Sequence, residues 1–258
     1  MDRMNEISRS KARRWMLLAL LPWLILSKAQ AMSILDSSKY FTDPKTIAFV
    51  ESLQRGNASR VKAALAAGQD PNAVGLQGIR PIHFVYRQPN LEAVEALLQA
   101  GADPNLPAPN GNRPLHYAVQ QETADLALLL LKYKANPALP GENDEPVLYP
   151  ALSSRAAAVL IPALVKAGAN PNQRWGSMPP VQAAMASQDW VAAKVLLQAG
   201  ADEKVLNTIK QDAVTFYCNS IGRMKRNAYN QGVVHEVGVL LKIPELRPDC
   251  VADMERFR

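Results

Sequence analysis

The chain has 258 residues, of which 48% are apolar, 6% aromatic and 20% charged, with a formal net charge of +6. This composition can bury a sizeable core, which excludes an intrinsically disordered chain. Residues 1–31 carry six Lys/Arg against two Asp/Glu, residues 32–203 carry 14 against 15, and residues 204–258 carry nine against six. Nucleic-acid binding needs a clustered basic face. Because the central body is close to neutral, we set nucleic acid aside as a partner.

Residues 1–31 have the pattern of an export signal. Basic residues precede an apolar run over Trp15–Leu26, and Ala29-Gln30-Ala31 has the small-x-small spacing that signal peptidase accepts. As a helix the run spans about 18 Å, too short for a bilayer core of about 30 Å. We therefore expect a cleaved signal peptide and a periplasmic mature protein that begins near Met32 and has no membrane span. An uncleaved anchor is the alternative.

The export route stays open between two pathways. Arg13-Arg14 resembles a twin-arginine motif, but Ala12 stands where that motif has Ser or Thr. The leader therefore fits general secretion and twin-arginine export equally.

The mature chain has two cysteines, Cys218 and Cys250. An oxidising compartment permits a disulfide between them, which would stabilise the fold by up to about 3–4 kcal/mol. Two unpaired, half-buried thiols are the alternative, since spacing alone does not give their geometry.

Two motifs recur in step along the chain. The first ends in Asp-Pro or Asn-Pro and repeats at intervals of 33, 33 and 34 residues, at Ala67–Pro71, Ala100–Pro104, Tyr133–Pro137 and Ala167–Pro171. The second, Gly-x-Arg-Pro-Ile/Leu-His, stands at Gly78–His83 and Gly111–His116, with weaker copies at Glu145–Leu148 and Pro179–Gln182. Proline suits the first turn of a helix, glycine suits a left-handed helix end, and Asp or Asn suits the turn that follows.

These motifs resemble the ankyrin repeat, which has the signature Thr-Pro-Leu-His and a period of 33. The resemblance covers about residues 40–205 and implies an all-α solenoid of stacked helix-turn-helix repeats joined by β-hairpin-like loops. We expect a degenerate first repeat or cap over residues 32–75, with helices over Pro44–Gln54 and Ala58–Ala67, and four full repeats over residues 76–207. Residues 208–258 should form a helical C-terminal cap with helices over Asp212–Asn219 and Gly232–Lys242, and a tail that is partly irregular after Pro244.

No motif points to catalysis. His83 and His116 fall at the Pro-x-His position, where the resemblance implies that the imidazole bonds to neighbouring backbone. The chain has no nucleophile motif, phosphate loop or metal-ligand spacing. We therefore predict that the protein is not an enzyme and uses no cofactor or metal. An enzyme built on His235 and the basic C-terminal segment is the alternative.

Two sets of residues are candidates for partner binding in the concave groove that the resemblance implies. The residues after the Pro-x-His positions, taken as Phe84, Tyr117 and Tyr149, form an aromatic series that either faces the groove or pads neighbouring helices. Arg80 and Arg113 stand where the family usually has Thr, and they either pair with carboxylates on a partner or are solvated charges.

A later hairpin tip carries Arg174 and Trp175, and Trp175 is a candidate anchor or packs against the next tip. Trp190, by contrast, is predicted in the core. Together the candidates indicate a monomeric, non-catalytic module that binds a protein.

The resemblance to exported bacterial ankyrin proteins implies an immunity protein that neutralises a secreted toxin or phospholipase effector. An accessory or protective partner of an endogenous periplasmic enzyme is the alternative. A scaffold in an envelope complex is a further alternative.

Overall fold

The computed structural model describes residues 36–86, 89–222, 224–225, 227 and 230–258. The predicted leader over residues 1–31 lies outside these residues, so its cleavage stays a prediction. None of the described helices is long and apolar enough to cross a membrane.

Helices come in pairs that follow one another along the chain. We number the first five pairs as repeats 1–5 and name the sixth the cap pair. The pairs are Pro44–Gln54 with Ala58–Ala66, the 3₁₀ helix Pro81–Phe84 with Leu91–Gln99, Pro114–Ala118 with Asp125–Lys132, Leu148–Leu152 with Ala157–Lys166, Pro180–Ala186 with Trp190–Gln198, and Ala213–Ile221 with Val233–Leu240. The predicted all-α repeat solenoid is therefore confirmed.

The helix boundaries follow from capping chemistry. The side chains of Asp43, Asn57 and Asn90 each accept a hydrogen bond from the backbone N–H three residues later. In repeats 1, 2, 4 and 5 the second helix is followed by a glycine with positive φ, such as Gly101 at 93°. In repeat 3 the equivalent residue is Lys134, with a φ of 67°. A left-handed backbone favours glycine, so Lys134 is the least favourable of these helix ends.

Two rows of helices run along the solenoid. Each second helix contacts the next in an unbroken row from Ala58–Ala66 to Val233–Leu240. Their core position is a leucine in repeats 2–5 and is fully buried in each: Leu97, Leu130, Leu164 and Leu196. Trp190 is 1% exposed, which confirms its predicted place in the core.

Short hairpins project from the repeats at a constant period. Backbone N–H groups of Gly75, Ala108 and Gly141 donate to the carbonyls of Ile79, Asn112 and Glu145, at 2.9, 2.8 and 2.8 Å. The same closure recurs from Asn207 to Gln211 at 3.0 Å. The closing donors at 75, 108, 141 and 207 keep a register of 33 residues, which fixes equivalent positions in each repeat.

The C-terminal tail is folded, so the prediction that it is partly irregular is wrong. Short helices over Ile243–Leu246, Pro248–Cys250 and Val251–Glu255 return the chain against the cap pair. Met254 and Phe257 are 1% and 0% exposed. The tail contains few apolar residues, but these two fill the space beside the cap pair, and burying them stabilises it.

Cys218 in the first helix of the cap pair forms a disulfide with Cys250 in the tail, with a Cα–Cα distance of 5.8 Å. The bond ties the returning tail to the last helix pair of the stack. The cap is thereby held by a covalent link as well as by packing.

Candidate functional site: the groove face

Four side chains at one position of repeats 2–5 each bond to a backbone carbonyl that lies in the hairpin after their own repeat or, for His83, two residues before it. His83 Nε2 donates to the carbonyl of Leu106 at 3.0 Å, and His116 Nε2 donates to that of Glu145 at 3.1 Å. The Tyr149 hydroxyl donates to the carbonyl of Met178 at 2.5 Å, and Gln182 Nε2 donates to that of Gln211 at 2.9 Å. We call these four residues the bridging ladder. It ties the first helices of repeats 2–5 to the backbone that follows in the stack.

The histidines of the ladder are structural, as predicted. His83 Nδ1 accepts the backbone N–H of Arg80 at 3.0 Å, so Nε2 carries the proton that bonds to the next repeat. Burial lowers the pKa of both His83 and His116, because a charged imidazole would lose its hydration. Both rings therefore act as neutral hydrogen-bonding groups.

Tyr149 belongs to the bridging ladder, so its predicted place in the aromatic series is wrong. The hairpin register aligns Tyr149 with His116, whereas the equivalent of Tyr117 is Pro150. The prediction was wrong because it aligned Pro146 with Pro114, whereas the hairpin register aligns Val147 with Pro114. The Tyr149 hydroxyl also accepts the backbone N–H of Trp175 at 2.9 Å, and burial raises its pKa.

Phe84 does not face the groove, so its predicted exposure is wrong. Its side chain is 1% exposed and lies against the rings of Tyr40 and Phe41, with centroid distances of 6.0 and 5.9 Å. The segment that leads into repeat 1 covers this position. Phe84 therefore pads the stack, which was the alternative for the aromatic series.

Arg80 and Arg113 brace the hairpins that precede them, which neither of their two predicted roles anticipated. Arg80 Nη1 donates to the carbonyl of Asn72 at 2.7 Å, and Arg113 Nε donates to that of Asn105 at 3.1 Å. Arg113 Nη1 also donates to the carbonyl of Pro140. Each guanidinium bonds to a carbonyl eight residues back. With these bonds made, both groups are parts of the scaffold.

Trp175 and Arg174 stand at the exposed tip of the hairpin over residues 174–178, the fourth in chain order, where Trp175 pairs with Met178. Trp175 is 39% exposed, its ring lies 5.5 Å from that of Tyr149, and its Nε1 donates to the carbonyl of Asn143 at 3.1 Å. Arg174 is exposed beside it. The tip therefore offers a fixed aromatic surface with a free cationic neighbour.

A cavity of 400 Å³ opens between the first two hairpins and the first helices of repeats 2 and 3. We call it the tyrosine groove and define it by six of its lining residues: Tyr40, Ile79, Tyr86, Pro109, Asn110 and Tyr117. The rings of Tyr86 and Tyr117 are stacked at 4.4 Å and 26°. The Tyr117 hydroxyl donates to Asn110 Oδ1 at 2.9 Å, which anchors the stack to a hairpin tip.

Of the groove residues, the repeat motifs predicted Tyr117 but gave no indication of Tyr86. Tyr86 stands where repeat 3 has Val119, and it follows a first helix shortened to a 3₁₀ turn. No repeating motif marks it. The 33-residue hairpin register is the signal that would have revealed Tyr86 as an extra aromatic at a core position.

The tyrosine groove and the second helices differ in charge. Among the described residues, none of those that line the tyrosine groove carries a formal charge. The second helices are linked by ion pairs, Lys62 with Glu92 at 2.6 Å and Lys132 with Glu95 at 2.7 Å. No cluster of three or more His, Cys, Asp or Glu in the described part of the chain is placed to hold a metal ion.

Comparison with known proteins agrees with this geometry. Residues 49–140 match the family model of ankyrin repeats, in three copies. The fold is similar to the crystal structure of EF0377, an ankyrin-repeat protein, with a TM-score of 0.59 and 18% identity over 76% of this chain and 97% of that one. No curated protein sequence matches the chain significantly. The predicted resemblance is confirmed: residues 49–140 are ankyrin repeats, and the fold is that of an ankyrin-repeat protein, a scaffold that generally serves to bind other proteins.

Proposed function

We propose that this protein is exported to the periplasm and binds one protein partner on its groove face without catalysing a reaction. The observation that carries the proposal is the bridging ladder, which fixes the hairpins before any partner arrives. Binding to a preformed surface loses little conformational entropy, so more of the contact energy becomes affinity. Such a surface suits tight, stoichiometric binding.

The exposed hairpin tips support this use of the groove face. Leu76, Trp175 and Ile209 are 60%, 39% and 70% exposed at the first, fourth and fifth tips. Large apolar and aromatic side chains at fixed positions are the usual anchors of protein interfaces. The tips therefore extend the tyrosine groove into a longer contact surface.

The Cys218–Cys250 disulfide supports export. Structural disulfides persist in oxidising compartments such as the periplasm and are rare in the cytosol. The leader and the disulfide thus favour the same compartment on independent grounds.

Within this role we propose an immunity protein that inhibits a secreted toxin or phospholipase by occupying it. Inhibition by occupancy requires an affinity high enough to titrate the target, which a preorganised groove favours. The accessory role with a resident enzyme requires the same surface, and the identity of the partner separates the two.

The test is capture of a partner from periplasmic extract with matched variants. Trp175→Ala and Leu128→Ala remove side chains of nearly equal exposure, 39% and 38%, one on a hairpin tip and one on a second helix. We expect wild type and Leu128→Ala to capture one dominant protein, and Trp175→Ala and Tyr117→Ala to lose it. Equal capture by all four chains would contradict binding on the groove face.

The identity and toxicity of the captured protein then test the finer role. A secreted effector that arrests growth unless this chain is co-expressed supports immunity, whereas a resident periplasmic enzyme would replace immunity with the accessory role. His235, which lies 3.1 Å from Glu255 in the cap, serves as the control for catalysis. We expect His235→Ala to protect cells as well as wild type does, and a loss of protection would favour the enzyme alternative.

A further inference from the structure

We infer that the tyrosine groove binds an uncharged, extended segment of the partner that bears a proline or aliphatic side chain, and that Tyr86 donates a hydrogen bond to a backbone carbonyl of that segment. This inference rests on the proposed function and specifies the chemistry of its partner. It goes beyond the ankyrin fold because it depends on Tyr40 and Tyr86, which the repeat motifs do not supply.

The size and walls of the groove suit a short stretch of extended chain. Its volume of 400 Å³ falls within the range of about 300–1,000 Å³ that is usual for binding pockets. Ile79 and Pro109 supply aliphatic wall, and the stacked rings of Tyr86 and Tyr117 supply aromatic surface. Aromatic-lined grooves of this kind hold extended, proline-containing segments, because such segments lose little entropy on binding.

The Tyr86 hydroxyl is the feature that calls for a ligand. Its oxygen is buried and has no hydrogen-bond partner among the described residues, whereas the neighbouring Tyr117 hydroxyl is bonded to Asn110. A buried donor without an acceptor destabilises the free protein. Burial also raises the pKa of Tyr86, so the hydroxyl keeps its proton and stays a donor. A small movement of the ring toward the cavity would bring it to a carbonyl of the bound segment.

The lack of charge in the groove lining limits which segments of a partner can bind there. None of the described residues that line the cavity carries a formal charge, and the nearby Arg80 and Arg113 are already bonded to backbone carbonyls. A charged side chain placed there would lose its hydration without gaining a counter-charge. The segment that binds is therefore uncharged where it meets the tyrosines.

The test uses a displayed library of random twelve-residue peptides, selected against the purified protein. Synthetic copies of the enriched peptides are then titrated against wild type, Tyr86→Phe and Tyr133→Phe. Tyr133→Phe is the matched control, because it removes a hydroxyl that bonds to Glu95 on the second helices, outside the groove. We expect the selected peptides to be uncharged and to contain proline or aliphatic residues. They should bind Tyr86→Phe at least tenfold more weakly than wild type, and Tyr133→Phe as tightly as wild type.

A second readout separates a binding role for Tyr86 from a purely structural one. Because the free hydroxyl lacks a partner, Tyr86→Phe should raise the thermal midpoint of the free protein while it weakens peptide binding. A lower midpoint together with unchanged binding would overturn the inference. Enrichment of peptides with an obligatory charged residue, or of no peptide at all, would overturn it equally.

The inference and the proposed function can fail separately. A natural partner that is lost with Trp175→Ala but binds Tyr86→Phe unchanged would refute the inference and leave the proposed function standing. Peptides that depend on Tyr86, together with a natural partner that ignores every groove variant, would refute the proposed function alone.

Discussion

His83, His116, Tyr149 and Gln182 occupy one position in four successive repeats, and each donates to a backbone carbonyl in or just before the next hairpin. An imidazole, a phenol and an amide can form the same hydrogen bond here, because each places an N–H or O–H group at a similar distance from the backbone. The family resemblance identified the histidines from their motif. Tyr149 and Gln182 could not be identified in this way, because their role depends on register and not on residue type.

Arg113 tests whether the arginines belong to the scaffold. Arg113→Ala removes bonds to the carbonyls of Asn105 and Pro140, and hydrogen bonds from a charged donor contribute about 1.5–3 kcal/mol each. We expect the free energy of unfolding in urea to fall by at least the contribution of one such bond, about 1.5–3 kcal/mol. Arg174→Ala, at an exposed tip, should change it by no more than about 0.5 kcal/mol. Equal effects of the two variants would show that Arg113 does not brace its hairpin.

The buried histidines predict a pH dependence of stability. Burial lowers the folded-state pKa of His83 and His116 below their unfolded value of about 6.5, so the unfolded chain takes up protons first as the pH falls. The stabilisation is complete above that unfolded value and is lost as the pH falls through it toward the lower folded pKa. We expect a smaller unfolding free energy at pH 5.5 than at pH 7.5.

The matched variant for this effect is His83→Gln with His116→Gln, which keeps an N–H donor at each position of the ladder. It should have a lower stability at both pH values and a much smaller difference between them. An undiminished difference in the double variant would assign the pH dependence to other groups.

Helices were easier to predict from sequence than the ends of the solenoid. The helix over Pro44–Gln54 was predicted to the residue, because Asp43 and Pro44 mark its start. The tail after Pro244 was not, because Met254 and Phe257 give no periodic signal and are buried by contacts distant in sequence. The alignment of repeat 4 was wrong by one residue for a similar reason. Glu145-Pro146 keeps only part of the repeat motif, so the motif alone does not fix the register there.

The C-terminal cap should depend on its disulfide. Replacing Cys218 and Cys250 by serine removes the link between the tail and the cap pair, and the loss of such a bond costs about 2–4 kcal/mol. Because each repeat contacts only its neighbours, opening the cap should leave repeats 1–3 folded. We expect limited proteolysis of the double variant to cut first within residues 222–258. First cuts within repeats 1–3 would contradict a local role for the disulfide.

Considered as a whole, the solenoid has two faces with different chemistry. Hairpins and first helices form the groove face, where the uncharged, aromatic tyrosine groove lies beside tips that carry charged side chains such as Arg174. The second helices form the opposite face, where ion pairs such as Lys62–Glu92 join neighbouring repeats. Exposed ion pairs of this kind contribute little energy and suit a solvated surface. The uncharged, aromatic lining of the tyrosine groove thus favours the groove face as the binding surface.

The measurement that tests this account most directly is hydrogen–deuterium exchange of the protein alone and with its captured partner. We predict slower exchange on binding in the hairpins over residues 75–79, 108–112 and 174–178, with no change in the second helices Leu91–Gln99 and Asp125–Lys132. Protection confined to the second helices or to the C-terminal cap would contradict the assignment of the binding surface to the groove face.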